Sequence, residues 1–169
     1  MVVSSVVGVF ENVVTQLPII MAFQSLILDM AGNVGTQSLA VTIRVLMDES
    51  LTGKQKLQLV FKEMRIGFCN GLLLGVLSFA VIGLFIFLFK GKTMMFAFSV
   101  SACIGIALLL AMLISSAVGT CIPLFFKKIH IDPAVASGPL ITTVNDLVAV
   151  VTFYGLSWLF LIEMLHLAG

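Results

Sequence analysis

A carboxylate stands where hydrocarbon is expected. Asp146 closes the run Asp132-Pro-Ala-Val-Ala-Ser-Gly-Pro-Leu-Ile-Thr-Thr-Val-Asn-Asp146, and mostly apolar residues continue to Tyr154 and beyond. Placing a carboxylate at bilayer depth costs about 2.5–3.5 kcal/mol on insertion scales, so such a group faces a cavity, a partner or an ion. Thr142, Thr143 and Asn145 surround it with further oxygen atoms. A membrane segment that keeps this set points to cation handling.

Asp132 admits two readings. Followed by Pro133, it is a helix start, with aspartate at the N-cap and proline at the first helical position. Yet Asp132 and Asp146 are fourteen residues apart. That is nearly four turns, so they share a face roughly 21 Å apart along the axis. Pro139, Thr142 and Thr143 fall between them, on or near that face, as the wall of a path would. Pro139 frees the carbonyl of Val135, with Gly138 loosening the same turn, and Pro123 frees that of Gly119. Freed carbonyls at membrane depth either mark a simple kink or line a watery cavity. Their coincidence with Asp146 favours the cavity.

A second segment repeats the theme. Asp29, Asn33, Thr36 with Gln37, and Arg44 recur at helical intervals in an apolar stretch, and Gly32 and Gly35 flank Asn33. These glycines permit a break or a close backbone approach. Asp29 and Arg44 also suit snorkelling to opposite interfaces, whereas Asn33 and Gln37 sit nearer the middle.

The elements that must position these groups are membrane helices. The chain is 60% hydrophobic and 10% charged, with mean hydropathy +1.21; soluble domains carry about a quarter charged residues. In 169 residues there is room for one membrane domain, here residues 1–169. A net charge of +1 points neither to nucleic acid nor to an anionic substrate. Cys69, Cys103 and Cys121 lie apart in apolar runs without a CxxC spacing, as small buried hydrophobes. Spans of about twenty apolar residues are predicted over Pro18–Met47 (interrupted by the Gly-Asn-Val-Gly stretch at 32–35), Ile66–Phe89, Met94–Phe126 and Pro133 to about Leu165. Val2–Val14 is a short fifth that reads as the second half of a helix trimmed at its start. The expected fold is therefore an all-α polytopic membrane protein with five transmembrane helices, the first truncated.

Six basic residues (Lys54, Lys56, Lys62, Arg65, Lys127 and Lys128) fall in two loops on one side, against Lys90 and Lys92 on the other. The positive-inside rule puts the N-terminus in the cytoplasm and the C-terminus outside. Leu57, Val60, Phe61 and Met64 recur at helical spacing between cationic residues, which predicts a short interfacial amphipathic helix before the third span. Gly67, Gly71 and Gly75 predict a packing seam on that span.

Ala31-Gly-Asn-Val-Gly-Thr-Gln-Ser with Arg44, and the run from Asp132 to Asp146 with Tyr154, resemble the two signature stretches of the MgtE family of magnesium channels and transporters. Gly119 with Pro123, and Glu63, Arg65 and Gly67, match its intervening pattern. The resemblance covers nearly the whole chain. It implies a homodimer in the plasma (inner) membrane, with the ion path on the two-fold axis and Mg2+ as the transported ion. Asp146 then supplies the central magnesium-site carboxylate from each subunit, the backbone carbonyl of Thr142 lies beside the ion, Asn33 lines the pore, and Asp132 is a second acidic position near the cytoplasmic end. Ala31 departs from the family's usual glycine. The family's cytoplasmic N-terminal and CBS regulatory domains are missing from this chain, which leaves its regulation open, as selectivity among Mg2+, Mn2+, Co2+ and Ni2+ is open.

Mg2+ gives up its waters reluctantly, so paired Asp146 carboxylates are expected to hold it partly hydrated. Two rivals share that carboxylate: a Na+- or H+-coupled transporter of divalent cations, and a non-conducting assembly subunit. An intramembrane protease does not fit. Asp146 follows Thr-Val-Asn rather than Gly-x-Gly, and Ser137, the counterpart of a serine nucleophile to His166, lacks a Gly-x-Ser-x-Gly context. The chain is not expected to be an enzyme.

Overall fold

The computed structural model describes residues 2–16, 18–48 and 51–164. Among them the chain is helical throughout, as an apolar sequence that must satisfy its own backbone hydrogen bonds in lipid requires. Two short helices, α1 (Val2–Val9) and α2 (Glu11–Gln16), lead through a 3-10 turn (Pro18–Phe23) into α3 (Gln24–Asp48). Three longer segments follow: α4 (Gly53–Lys90), α5 (Met94–Lys128) and α6 (Pro133–Leu156), the last continuing as a π-helix over Ser157–Met164. Four stretches are long and apolar enough to cross a membrane: Pro18–Met47, Gly53–Lys90, Met94–Lys128 and Gly138–Glu163. The Val2–Val14 segment is divided between α1 and α2. Leu165 and His166 lie outside the described residues, as does any description of the Ser137 side chain.

Three expectations are corrected. Of the cysteines expected to be buried, only Cys103 is; Cys69 and Cys121 are exposed on the outward faces of α4 and α5. The interfacial helix is not separate: α4 runs unbroken for 38 residues, roughly 57 Å at 1.5 Å per residue. Gln55 accepts hydrogen bonds from the N–H and hydroxyl of Thr52 (2.8 and 2.7 Å) at its start, and Gly91 ends it in the left-handed region at φ 61°. Its buried line is Leu59, Glu63, Gly67, Gly71 and Gly75, while Leu57 and Phe61 of the predicted apolar stripe are 58% and 59% exposed. Nor does the Gly-Asn-Val-Gly stretch interrupt the second span, since α3 is continuous from Gln24 to Asp48. A glycine costs a helix about 1 kcal/mol, which is less than leaving backbone groups unpaired in hydrocarbon.

Helix α5 is the hub, packed against α4, α3 and α6. The seam predicted on α4 meets it backbone to backbone. A Cβ on Gly75 would lie 2.8 Å from the Gly105 carbonyl oxygen, and one on Gly105 would lie 2.7 Å from that of Gly75. Glu63 is buried one turn before Gly67, with its Oε1 unpartnered among the described residues. Phe10 stacks on Tyr154 at 5.9 Å, which ties the turn after α1 to α6.

Candidate ion-binding groove

Helices α3 and α6 lie side by side, and each turns a polar line to the space between them. Asp29, Asn33 and Thr36 sit at i, i+4 and i+7 on α3, and Thr142 and Asp146 at i and i+4 on α6. Helical geometry puts such residues on one face. All five line a single groove of about 580 Å3, together with Leu28, Met30 and Gly32. A Cβ at Gly32 would meet nothing within 4 Å, so this glycine widens the groove.

The hydroxyl hydrogens in the groove are already committed. Thr36 donates to the carbonyls of Gly32 (2.8 Å) and Asn33 (3.0 Å), and Thr142 to that of Pro139 (3.0 Å). Their free lone pairs can therefore only accept. Two carboxylates, one amide and two accepting hydroxyls, with no cationic side chain among the lining residues, form a hard, electronegative oxygen surface. That donor set suits Mg2+-like ions rather than soft metals.

Among the described residues no three or more His, Cys, Asp or Glu come together as a direct metal cluster. Mg2+ gives up its waters reluctantly, and exposed carboxylates and hydroxyls can accept hydrogen bonds from a water shell. The groove also opens sideways: Asp29, Asn33, Thr36 and Thr142 are exposed, and Asp146 is half-buried. Lipid cannot cover such a face without desolvating its carboxylates.

The other expected site residues fall elsewhere. Asp132 caps α6, accepting from the Ala134 N–H at 2.9 Å, and borders a separate pocket of about 190 Å3 with Lys127, Ile43 and Leu46. Thr143 donates to the Pro139 carbonyl at 2.9 Å, and Gln37 is exposed; neither lines the groove. Pro139 and Gly138 lie within an unbroken α6, and Pro123 is buried within an unbroken α5. Gly35, Gly119 and Asn145 form a junction behind the groove wall: a Cβ on Gly35 would collide with the Asn145 amide, and one on Gly119 with the Gly35 carbonyl. Asn145 is fully buried there, and neither of its amide atoms has a hydrogen-bond partner among the described residues.

Asp29 and Thr36 are the groove's polar residues that lie outside the expected ion site. The i, i+4 pairing of Asp29 with Asn33 was the available signal. Gln24 and Tyr154 form another missed link: the tyrosine hydroxyl donates to the glutamine Oε1 at 2.6 Å, pinning the start of α3 to α6. Because Asp132 contributes one cap bond and stands apart from the groove, Asp132→Ala is expected to cost about 1 kcal/mol of stability. Ion uptake per folded protein should fall less than about threefold, a barrier change under 1 kcal/mol. A thermal melt and a vesicle flux assay on the same preparation check both numbers.

Residues 24–156 match the profile of a family described as "MgtE: Divalent cation transporter". The chain is 33% identical over 157 residues to the magnesium transporter MgtE of Bacillus subtilis (strain 168), covering 93% of this chain and 33% of that protein. It is 32% identical over 158 residues to the one from Enterococcus faecalis, covering 94% and 33%. To that of Thermus thermophilus it is 28% identical over 161 residues, covering 95% and 34%. The chain thus spans about a third of the length of these curated relatives.

Proposed function

Since the chain belongs to the MgtE family of divalent cation transporters, we propose that residues 1–169 are an ion-conducting membrane domain that passes partly hydrated Mg2+ inward. Two copies pair as a homodimer so that their α3–α6 grooves face each other across a two-fold axis. One Asp146 from each copy grips the water shell of the ion, and the carbonyl of Thr142 stands beside it. Asp29, Asn33 and Thr36 extend the oxygen-lined wall. Val2–Val14 belongs to a fifth span, the basic loops face the cytoplasm, and Asp132 marks the cytoplasmic end of the path.

The observation that carries this reading is the groove itself, which gathers five oxygen-bearing side chains and no cationic one on a laterally open face of membrane-length helices. A second copy is the covering that leaves room for water between the carboxylates. A lone pair of carboxylates resists joint ionisation, and a divalent ion between them reverses that. A negative-inside potential favours entry by about 4.6 kcal/mol for a charge of two at 100 mV, so no coupling ion is needed.

Purified protein in liposomes should take up Mg2+ when the Na+ and H+ gradients are each abolished, at a rate that follows an imposed potential. Uptake that stops on removing either gradient assigns a coupled carrier. A folded dimer that takes up nothing under any gradient assigns an assembly subunit. Mn2+, Co2+ and Ni2+ added as competitors define the selectivity.

A further inference from the structure

The long α4 carries a second feature that ion passage does not use. With Lys90 at the far interface, a 30 Å hydrocarbon layer reaches back about twenty residues, to around Asn70. The preceding four to five turns of the same helix therefore emerge from the hydrocarbon, with Arg65 and Lys62 roughly 8–12 Å further out, at headgroup depth. There the side chains of α4 line a shallow groove of about 520 Å3: Gln58, Lys62 and Arg65 with Phe61, Ile66, Cys69 and Asn70, of which Ile66 and Cys69 lie nearer the hydrocarbon than Lys62. Lys62, Arg65, Phe61, Ile66 and Cys69 are all exposed, and Lys54 and Lys56 lie two to three turns before Arg65.

We propose that this groove binds an anionic phospholipid, with the phosphate held by Lys62 and Arg65 and an acyl chain laid along Ile66 and Cys69 towards the hydrocarbon. Two exposed cations with exposed Ile66 and Cys69 one turn deeper match the two ends of a lipid, whereas a free phosphate would leave Phe61, Ile66 and Cys69 uncovered. The site anchors the overhanging end of α4 to the leaflet. It needs only that the chain spans a membrane, so a failure of Mg2+ uptake would leave it standing.

The full wild-type chain, reconstituted in phosphatidylcholine vesicles containing photoactivatable phosphatidylglycerol, should yield its lipid adduct within residues 58–70. Adducts elsewhere overturn the proposal, and this arm needs no variant. By native mass spectrometry, K62Q/R65Q should retain phosphatidylglycerol about tenfold or more less well than wild type, with phosphatidylcholine unchanged. K90Q/K92Q, at the other end of α4, should leave retention intact. Equal retention by K62Q/R65Q overturns the site, and displacement of the lipid by inorganic phosphate at equal concentration reassigns it to a free anion. A Cys69–Cys69 disulfide between copies without any lipid adduct means that a second copy covers the groove, which also overturns it.

Discussion

On the proposed dimeric path, Asp146→Ala is expected to lower Mg2+ uptake at least about 100-fold, the loss of about 3 kcal/mol of ion stabilisation. At an effective dielectric of about 20, a unit charge pair at 4 Å interacts by about 4 kcal/mol, and a divalent ion doubles that. Much of this is offset by the hydration the ion gives up, but in the proposed dimer both copies would lose their carboxylate together. Asp146→Asn keeps the shape and the hydrogen bonding while removing the charge, so it should be almost as severe. Asp29→Asn changes the same groove at an exposed position, where water screens the charge, and about a tenfold loss is expected. The variants must be compared at equal dimer content and equal melting temperature. A folded Asp146→Ala dimer that conducts at the wild-type rate would move the ion site away from the α3–α6 groove.

The groove was legible from sequence where periodicity decides. Thr142 and Asp146, and Asn33 with Asp29, are each four residues apart, which puts each pair on one helical face whatever the packing. Neighbours in sequence are the opposite case. Asn145 and Thr143 are each one residue from a groove residue, about 100° around the helix. Thr143 counts as near the Asp132–Asp146 face and Asn145 as a neighbour of Asp146, but the structure turns Asn145 into the Gly35–Gly119 junction and gives the Thr143 hydroxyl to Pro139. The break expected at Gly32–Gly35 does not form for a related reason. Glycine punctuates chains in water, where a freed backbone group finds a solvent partner. In lipid α3 persists through Gly32 and Gly35, because every alternative leaves more backbone unpaired. The extent of α4 depends on where its N-terminal turns pack. Leu59, Glu63 and Gly67 follow one buried line into the seam, and no local stripe of apolar residues reports that.

Gly119→Leu is the second large effect, and it acts on the scaffold rather than on the ion. Gly119 lets α5 touch the Gly35 carbonyl of α3, and Gly35 in turn gives its open side to the Asn145 amide of α6. Three helices therefore meet at a point with no room for a methyl group. Without a lipid-excluding hydrophobic force between membrane helices, such close contacts supply much of the association energy. An inserted side chain must push α3 away from α5, at a cost of about 1–3 kcal/mol or more for a rigid backbone neighbour. The groove wall carrying Asn33 and Thr36 moves with α3, so uptake should fall even in the fraction that still folds. Gly138→Ala is the matched control. A Cβ there meets nothing within 4 Å, and alanine favours a helix over glycine by about 1 kcal/mol, so its melting temperature should hold or rise. Melts in detergent and flux in vesicles separate the two outcomes. If Gly119→Leu melts and conducts like wild type, α3 and α5 do not approach through their backbones, and the groove is held open by something other than this junction.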